Sequence, residues 1–258
     1  MGDGLRTIFR PVVGPPVRSL RLLRAARRLG RATRHEADVG ACFDAVMRSD
    51  LFRPLQHRAE FLGLLARASA VRPSVILEIG SAAGGTAFLW TRAAADDALL
   101  VLVDDAFGGA RRMALRHFAR GRQQIVCIKG DSHDAATLAH VSRALRGRAV
   151  DVLFIDGDHR YEGVSADLAA YGRLVRPGGL VALHDVVPDR RQRLGEETTS
   201  DAGGVPRLWR EVSGGALGPT TELVDDRDQD GCGIGVVTWA GEDRTALGSG
   251  RQRSATAR

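Results

Sequence analysis

Residues 150–185 read VDVLFIDGDHRYEGVSADLAAYGRLVRPGGLVALHD, and this stretch decides the fold class. It begins with an apolar run at residues 150–155 and continues with a helix-patterned segment at about 163–175. Pro177-Gly178-Gly179 predicts the end of that helix and a turn into a second apolar run, GLVAL at residues 179–183. Short apolar runs joined by a helix are typical of parallel strands with a right-handed crossover. The stretch therefore predicts one strand–helix–strand unit.

The same alternation extends over most of the chain. Earlier apolar runs lie at Val75–Ile79, Leu99–Val103 and Ile125–Ile128, and helix-patterned segments follow them at about 84–95, 109–121 and 134–146. The last of these segments begins among Asp131, Ser132 and Asp134, whose side chains can accept from free N–H groups at a helix start. Beyond the quoted stretch, the pattern predicts a helix at Val205–Val212 and strands at Glu222–Val224 and Ile234–Trp239. We predict an α/β fold, a doubly wound, mostly parallel Rossmann-like sheet with helices on both faces and an antiparallel C-terminal strand.

The domain organisation follows from length and composition. The chain has 258 residues, of which 44% are hydrophobic, enough for one large α/β domain. We predict a basic leader segment at 1–34, a single domain at 35–243 and a disordered basic tail at 244–258. Within the domain, a helical lead-in covers 35–72 and the sheet core covers 73–240. The weakly patterned segment Asp189–Gly204 is a candidate mobile loop beside the strand ends.

The formal net charge is +6, but the basic surplus belongs to the two ends of the chain. Residues 1–34 hold nine arginines and one acid, and residues 244–258 hold four arginines and no acid. Residues 35–243 consequently carry a net charge of −6. An acidic middle and an aromatic content of 5% count against a nucleic-acid partner, which needs a basic surface and stacking side chains. We therefore expect no nucleic-acid partner.

Three observations bear on the compartment. The chain has no run of 18 apolar residues, which predicts no membrane span. It shows no secretory signal, because prolines interrupt the only candidate run near the N-terminus. The three cysteines, Cys42, Cys127 and Cys232, lack the spacing of zinc or redox motifs. We expect reduced thiols in a cytoplasmic protein.

Unusual residues follow each of the five predicted parallel strands. In an open parallel sheet, ligands bind outside the carboxyl ends of the strands. The first strand leads into EIGSAAGGT, Glu78–Thr86, whose glycines allow close approach of a nucleotide-type cofactor, although a plain strand–turn–helix junction would look the same. Asp104 ends the second strand, placed to bind ribose hydroxyls. The other strand ends are Gly130-Asp131-Ser132-His133, Asp156-Gly157-Asp158-His159 and His184-Asp185.

These segments, from EIGSAAGGT through FIDGDHRYEGV to PGGLVALHD, resemble the class I S-adenosylmethionine-dependent methyltransferases. The resemblance is strongest to metal-dependent O-methyltransferases that act on sugar hydroxyls of natural products, the relatives of macrocin O-methyltransferase and of cephalosporin hydroxylase-like proteins. It implies S-adenosylmethionine as cofactor and a hydroxyl of a sugar or glycosylated natural product as acceptor. Relatives in this branch are often homo-oligomers. The implied cofactor-binding residues are Glu78, Gly80, Ser81, Gly84, Asp104, Asp131, Ser132 and Asp156.

The resemblance also implies a metal site and a base on the fourth and fifth strands. Its metal ligands fall on Asp156, His184 and Asp185, and carboxylates of this kind suit Mg²⁺. A histidine at position 184 suits Mn²⁺, Fe²⁺ or Zn²⁺ better, or is a hydrogen-bonded strand-end residue with no metal. His159 matches the base of the sugar-modifying relatives. We expect Asp156 and His159 to be catalytic, with His159 removing the proton of the acceptor hydroxyl.

Other interpretations remain open at this stage. Asp156-Gly157-Asp158 resembles the D-x-D metal motif of nucleotide-sugar glycosyltransferases, which would make the chain a metal-dependent glycosyltransferase. The basic ends could instead bring a non-catalytic α/β domain onto nucleic acid, and a member of the fold can have lost or changed its reaction. We expect Asp158 to cap the following helix, and His133 and His140 to be surface residues. Residues 226–231 mimic the start of a calcium loop but lack its final glutamate, which indicates an acidic turn.

Overall fold

The computed structural model describes residues 15–241. Residues 1–14 and 242–258 lie outside the described residues, and with them the first part of the predicted leader and the whole predicted tail at 244–258. None of the helices in the described part is both long enough and apolar enough to cross a bilayer.

A seven-stranded sheet forms the centre of the domain. The strands are β1 Val75–Ile79, β2 Leu99–Asp104, β3 Gln124–Lys129, β4 Val150–Ile155, β5 Val175–His184, β6 Thr220–Leu223 and β7 Ile234–Thr238. They stand in the order β3-β2-β1-β4-β5-β7-β6, and only β7 runs antiparallel to its neighbours, β5 and β6. This arrangement confirms the predicted doubly wound, mostly parallel sheet with an antiparallel C-terminal strand.

Helices cover both faces of the sheet, because successive strand side chains point to opposite sides. Ile76 packs in one buried cluster, with α1–α5, whereas the next residue, Leu77, packs in the other, with α6, α7 and α9. The helices are α1 Pro15–Ala32, α2 Val39–Met47, α3 Arg58–Val71, α4 Gly85–Ala93, α5 Gly109–Leu115, α6 Ala135–Leu145, α7 Tyr161–Gly172, α8 Arg190–Leu194 and α9 Val205–Val212. A short 3-10 helix, Arg116–Phe118, continues α5.

The Pro-Gly-Gly triplet does not end a helix, so this prediction is wrong. Helix α7 ends at Gly172, and β5 has already begun at Val175. The triplet forms a bulge inside β5, where the register against β4 jumps from Val175 to Leu180. Gly178 has a φ of +75°, and its N–H donates to the carbonyl of Trp239 at 2.7 Å. A bulge absorbs additional residues in one strand without ending the pairing.

Part of the predicted leader packs on the domain. Helix α1 places Ala26, which is fully buried, and Leu22, Leu23 and Leu29 against the cluster on its face of the sheet. The backbone of Gly30 approaches the carbonyl of His117 so closely that an added Cβ would lie 2.8 Å from that oxygen. Residues 15–32 are thus a structural helix of the domain.

Two other local predictions differ from the structure. The side chain of Asp134 stands at the N-cap of α6 but makes no capping hydrogen bond. The segment Asp189–Gly204, predicted as a mobile loop, contains helix α8, and Asp189 at the start of the segment is buried. The Asp189 carboxylate accepts from the backbone N–H groups of Gln192 at 2.9 Å and Ala202 at 3.2 Å. These bonds hold the segment against the strand ends.

Candidate active site

Two adjoining cavities open at the carboxyl ends of the parallel strands. The first, here called the Asp104 cavity, has a volume of about 380 Å³ and lies over β1, β2, β3 and β4. The second, the Asp185 cavity, has a volume of about 510 Å³ and lies over β1, β4 and β5. Gly80, Ala82 and Asp156 line both cavities and form their common wall. Two larger grooves, of about 870 and 790 Å³, run along α1 and do not contain the acidic strand ends.

The common wall depends on a close contact between the ends of β1 and β4. Gly80 has a φ of +85°, and a Cβ there would overlap the backbone carbonyl of Asp156. Asp104 holds the next turn of the loop, since its carboxylate accepts from the N–H of Ala82 at 2.6 Å and of Ala106 at 2.9 Å. Ala82 itself has a left-handed φ of +42°, which is uncommon for a residue with a side chain. The loop is therefore shaped to bring backbone close to the cavity.

Asp131 and Ser132 line the far side of the Asp104 cavity. The Asp131 carboxylate accepts from the N–H of His133 at 2.9 Å and is largely exposed, which leaves it available to a ligand. The carbonyl of Ser132 accepts from the Tyr171 hydroxyl at 2.7 Å, which anchors this turn to α7. The structure thus brings Gly80, Asp104, Asp131 and Ser132 together, as the sequence predicts.

Glu78 and Gly84 lie away from both cavities, in contrast to the prediction. Glu78 is fully buried, and its carboxylate accepts from Ser81 Oγ at 2.7 Å and Trp90 Nε1 at 3.1 Å. Burial raises the pKa of Glu78 to about 7. Gly84 is at the N-cap of α4 with a φ of +84°, and a Cβ there would overlap the side chain of Leu115. Both residues support the loop from behind, whereas Ser81 reaches the Asp185 cavity.

Two carboxylates and two histidines meet in the wall of the Asp185 cavity. Nδ1 of His184 lies 3.1 Å from Asp156 Oδ1 and 3.0 Å from Asp185 Oδ2. Nε2 of His159 lies 3.4 Å from Asp185 Oδ2 and 3.9 Å from Asp156 Oδ1. The structure therefore assembles all of the residues that the sequence predicts as metal ligands or catalytic groups.

The charged side chains of this cluster shift one another's pKa values. The hydrogen bond to Asp156 and the charge of Asp185 raise the pKa of His159 to about 9. Burial alone would lower the pKa of His184, but the charge of Asp156 raises it well above the usual value. Burial would likewise raise the pKa of Asp156, whereas the charge of His184 lowers it. Without another cation present, the two histidines are therefore the cations that neutralise the two carboxylates.

Hydrogen bonds from distant parts of the chain orient the cluster. Gln56, in the lead-in, donates through Nε2 to Asp156 Oδ2 at 2.6 Å. Nδ1 of His159 forms a hydrogen bond with the backbone carbonyl of Asp201. The N–H of Cys232 donates to Asp185 Oδ1 at 3.1 Å. None of these three contributors is predictable from the sequence, because none stands at a strand end or in a recognisable motif.

Asp158 has the structural role that the sequence predicts, but it does not cap α7, whose N-cap Arg160 stands without a side-chain capping hydrogen bond. Its carboxylate accepts from the backbone N–H of Arg160 at 2.8 Å and from the Arg160 guanidinium at 2.6 Å. The pKa of Asp158 is lowered, first of all by this Arg160 hydrogen bond. Because Asp158 is already paired and Asp156 faces His184, the two acids do not converge as the D-x-D interpretation requires.

The donors of the Asp185 cavity fit a divalent cation. Asp156, His159 and Asp185 each offer one ligand atom within 4.8 Å of the others, and so do His184, Asp185 and Cys232. His184 is buried, and within residues 15–241 neither of its ring nitrogens has a partner in hydrogen-bond geometry. Buried polar atoms are normally satisfied, so the cluster suits an ion that would bind them.

Comparison with known proteins gives a family match over the centre of the chain. Residues 77–186, which contain β1 to β5, match the model of a family described as a methyltransferase domain. None of the curated proteins matches the chain. The family match confirms the prediction of a methyltransferase.

Solved structures share the fold at low sequence identity. Cofactor-bound Rv0187 from MTB is 20% identical, with 86% of this chain and 91% of that chain covered and a TM-score of 0.56. The O-methyltransferase TomG from Streptomyces achromogenes, involved in tomaymycin synthesis and solved with S-adenosylmethionine, is 19% identical, with 86% and 99% covered and a TM-score of 0.55. MycE methyltransferase from the mycinamycin biosynthetic pathway, in complex with Mg, S-adenosylhomocysteine and mycinamycin VI, is 17% identical, with 81% and 55% covered and a TM-score of 0.51. At these identities the similarity is one of fold.

Proposed function

We propose that this chain, which carries a methyltransferase domain in residues 77–186, transfers a methyl group from S-adenosylmethionine to a hydroxyl oxygen of a small molecule. The observation that carries the proposal is the common wall of the two cavities, formed by Gly80, Ala82 and Asp156. Group transfer requires donor and acceptor to meet with their reacting atoms aligned, and two adjoining cavities provide that arrangement. The Asp104 cavity would hold the donor and the Asp185 cavity the acceptor.

The donor proposal is supported by the charge and shape of the Asp104 cavity. Asp104 would bind the ribose hydroxyls, and Asp131 with Ser132 the adenine. Gly80 allows the backbone to approach the cofactor where a side chain would obstruct it. The carboxylates around the cavity favour the positive charge of the sulfonium group. TomG, which shares the fold, is solved with the same cofactor.

We also propose that Asp156, His184 and Asp185 hold a divalent cation. The proposal is supported by the buried ring of His184, whose nitrogens make no well-formed hydrogen bond within the described residues, and by the two carboxylates that face its Nδ1. A cation there would lower the pKa of the acceptor hydroxyl. Gln56 orients Asp156 and the Cys232 N–H orients Asp185, so the chain itself positions both carboxylates.

His159 is the proposed base, and the structure supports one tautomer for this role. A backbone carbonyl only accepts hydrogen bonds, so the contact with Asp201 requires the proton on Nδ1. In the neutral ring, Nε2 is then the atom that can take a proton. Because Nε2 faces Asp156 and Asp185, it stands where the acceptor hydroxyl would bind.

The acceptor class is proposed as a sugar hydroxyl or another hydroxyl of a glycosylated natural product. This is supported by MycE, which shares the fold and is solved with mycinamycin VI. A cavity of about 510 Å³ is within the range of small-molecule sites. We place the reaction in the cytoplasm, in keeping with the free thiols of Cys42, Cys127 and Cys232.

The experiment is calorimetric titration with S-adenosylmethionine, followed by a methyl-transfer assay on a panel of glycosylated and free hydroxyl acceptors. We expect tight binding of the cofactor and the mass gain of one methyl group on an acceptor. If S-adenosylmethionine gives no heat while a nucleotide-diphosphate sugar does, the proposed function is wrong.

His159→Gln tests the base. We expect a loss of turnover of about 10²–10⁴-fold with cofactor binding unchanged, since general-base catalysis contributes on that order. His140→Gln is the matched control, because His140 is exposed on α6 and should leave turnover intact. Equal turnover in the two variants would exclude His159 as the base.

A further inference from the structure

We propose that Cys232 supplies a thiolate ligand to the cation site, which therefore prefers a transition-metal ion of the Zn²⁺ class over Mg²⁺. The proposal rests on the metal-assisted site described above and adds to it the identity of a ligand and of the ion. Its geometry comes from the end of β5 and the turn before β7, which bring His184, Asp185 and Cys232 together.

The three side chains are close enough to share one ion. Their ligand atoms all lie within 4.8 Å of one another. Zinc bonds of about 2.0–2.3 Å in tetrahedral geometry place ligand atoms about 3.3–3.8 Å apart. Small side-chain rotations would therefore complete the site.

His184 is the residue that requires a ligand in this place. Its side chain is about 4% exposed, and within the described part of the chain neither ring nitrogen makes a hydrogen bond of good geometry, although Nδ1 lies 3.1 Å from Asp156 Oδ1 and 3.0 Å from Asp185 Oδ2. The ring nevertheless lines the Asp185 cavity. A buried imidazole whose nitrogens make no well-formed hydrogen bond is costly, and metal binding removes that cost at one nitrogen.

The backbone holds Cys232 in position at the expense of strain. Asp185 and Cys232 have left-handed φ values of +62° and +59°, although both carry side chains. Glycines with positive φ flank the cysteine at positions 231 and 233. Non-glycine residues persist in this conformation where the surrounding structure requires it, and they are common at functional sites. The N–H of Cys232 also fixes Asp185 Oδ1, so both ligands belong to one unit.

The chemistry of the donors distinguishes between ions. Mg²⁺ prefers oxygen ligands in octahedral geometry, whereas imidazole and thiolate suit Zn²⁺, Co²⁺ and Fe²⁺. With Asp156 from the site proposed above, the donors are one imidazole, one thiolate and two carboxylates, and the imidazole and thiolate favour a transition metal. Binding would release the thiol proton of Cys232 to solvent. His159, which is not in this set, keeps Nε2 free for the acceptor.

The test is a titration of chelator-treated full-length protein with Co²⁺, because thiolate ligation produces a cobalt charge-transfer band in the near ultraviolet. We expect the band to saturate with a single equivalent, to disappear when Zn²⁺ is added and to survive an excess of Mg²⁺. Cys232→Ser should abolish the band, whereas Cys127→Ser, at a free cysteine on β3, should keep it. A missing band in the wild-type protein, or an unchanged band in Cys232→Ser, would overturn the proposal.

A second measurement needs no variant. Alkylation of Cys232 by N-ethylmaleimide, followed by peptide mass spectrometry, should slow at least tenfold with Zn²⁺ and not with Mg²⁺. Equal alkylation rates under both conditions would contradict thiolate ligation. Calorimetry with S-adenosylmethionine on the same preparation separates the two proposals: cofactor binding without the band refutes only the thiolate ligand. The band without cofactor binding supports the ligand and refutes the methyl-donor assignment.

Discussion

At the scale of single residues, the protonation of His159 is the property on which the proposed mechanism depends. Its pKa of about 9 reflects the two carboxylates in front of it, and at neutral pH the ring is therefore a cation. A protonated imidazole cannot accept a hydroxyl proton. A divalent ion that neutralises Asp156 and Asp185 would remove the cause of the shift.

This leads to a prediction about pH. In chelator-treated protein, the ring signals of His159 in an NMR titration should change near pH 9, and any residual turnover should rise as pH approaches that value. Saturation with a divalent ion should move both transitions to lower pH, because the charged form loses its stabilising partners. The His159→Gln variant assigns the signals. A ring that titrates near pH 6.5 without metal would contradict the assignment of its partners.

At the scale of secondary-structure elements, the start of α4 depends on one packing contact with α5. Gly84 was predicted from the sequence to line the cofactor pocket, but its missing side chain leaves room for Leu115. Glu78 belongs to the same layer, since Trp90 of α4 donates to its carboxylate. The loop that shapes the cavities is thus supported by the packing of α4 and α5 behind it.

A matched pair of glycine variants tests this contact. Gly84 and Gly147 both have a positive φ, of +84° and +79°. A Cβ added at Gly84 would overlap the side chain of Leu115, whereas a Cβ added at Gly147 would have no other atom within 4 Å. Gly147→Ala should lower the free energy of unfolding by about 1–2 kcal/mol, the usual cost of left-handed backbone. Gly84→Ala should cost about 1–3 kcal/mol more, through overpacking. Denaturant unfolding measures both variants, and equal losses would show that Leu115 contributes nothing.

At the scale of the whole molecule, the basic N-terminal helix is part of the domain. Ala26 of α1 is fully buried in the cluster that also contains residues of β1, β2 and β4, so α1 contributes to the same core as the sheet. Five arginines of α1 line the two grooves beside the helix, Arg21, Arg24 and Arg28 in one and Arg27 and Arg31 in the other. The positive charge of α1 therefore lies in the grooves beside this helix, whereas the cavities at the strand ends are lined by acidic residues.

Two variants of α1 test its contribution. Ala26→Glu places an unpaired charge in the core and should lower the free energy of unfolding by about 2–4 kcal/mol. Ala32→Glu introduces the same charge at an exposed position of the same helix and should cost less than about 1 kcal/mol. Chemical denaturation of both proteins provides the comparison. Similar losses would mean that α1 does not stabilise the domain through Ala26.

The amino-acid sequence by itself determined the sheet, the approximate helices and the strand-end residues of the candidate site. Asp104, Asp131, Asp156, His184 and Asp185 could be predicted because strand periodicity is local, and because the carboxyl ends of parallel strands meet at one edge of the sheet, where ligands bind. The family resemblance added the roles that are now proposed for them. The positions at which the helices begin and end are predicted less accurately than the strands, because helix ends depend on packing and capping contacts.

Only the tertiary structure decided which side chains support that site and which belong to it. Gln56 reaches Asp156 across 100 residues of sequence, and Asp201 reaches His159 across 42. Such contacts depend on the path of loops, which periodicity does not encode. For the same reason the sequence does not show that Gly84 packs against Leu115, that Glu78 binds Trp90, or that Cys232 lies beside His184 and Asp185. The hydrophobic pattern of the sequence indicates which face of a helix or strand is buried, whereas the tertiary packing determines which residues that face contacts.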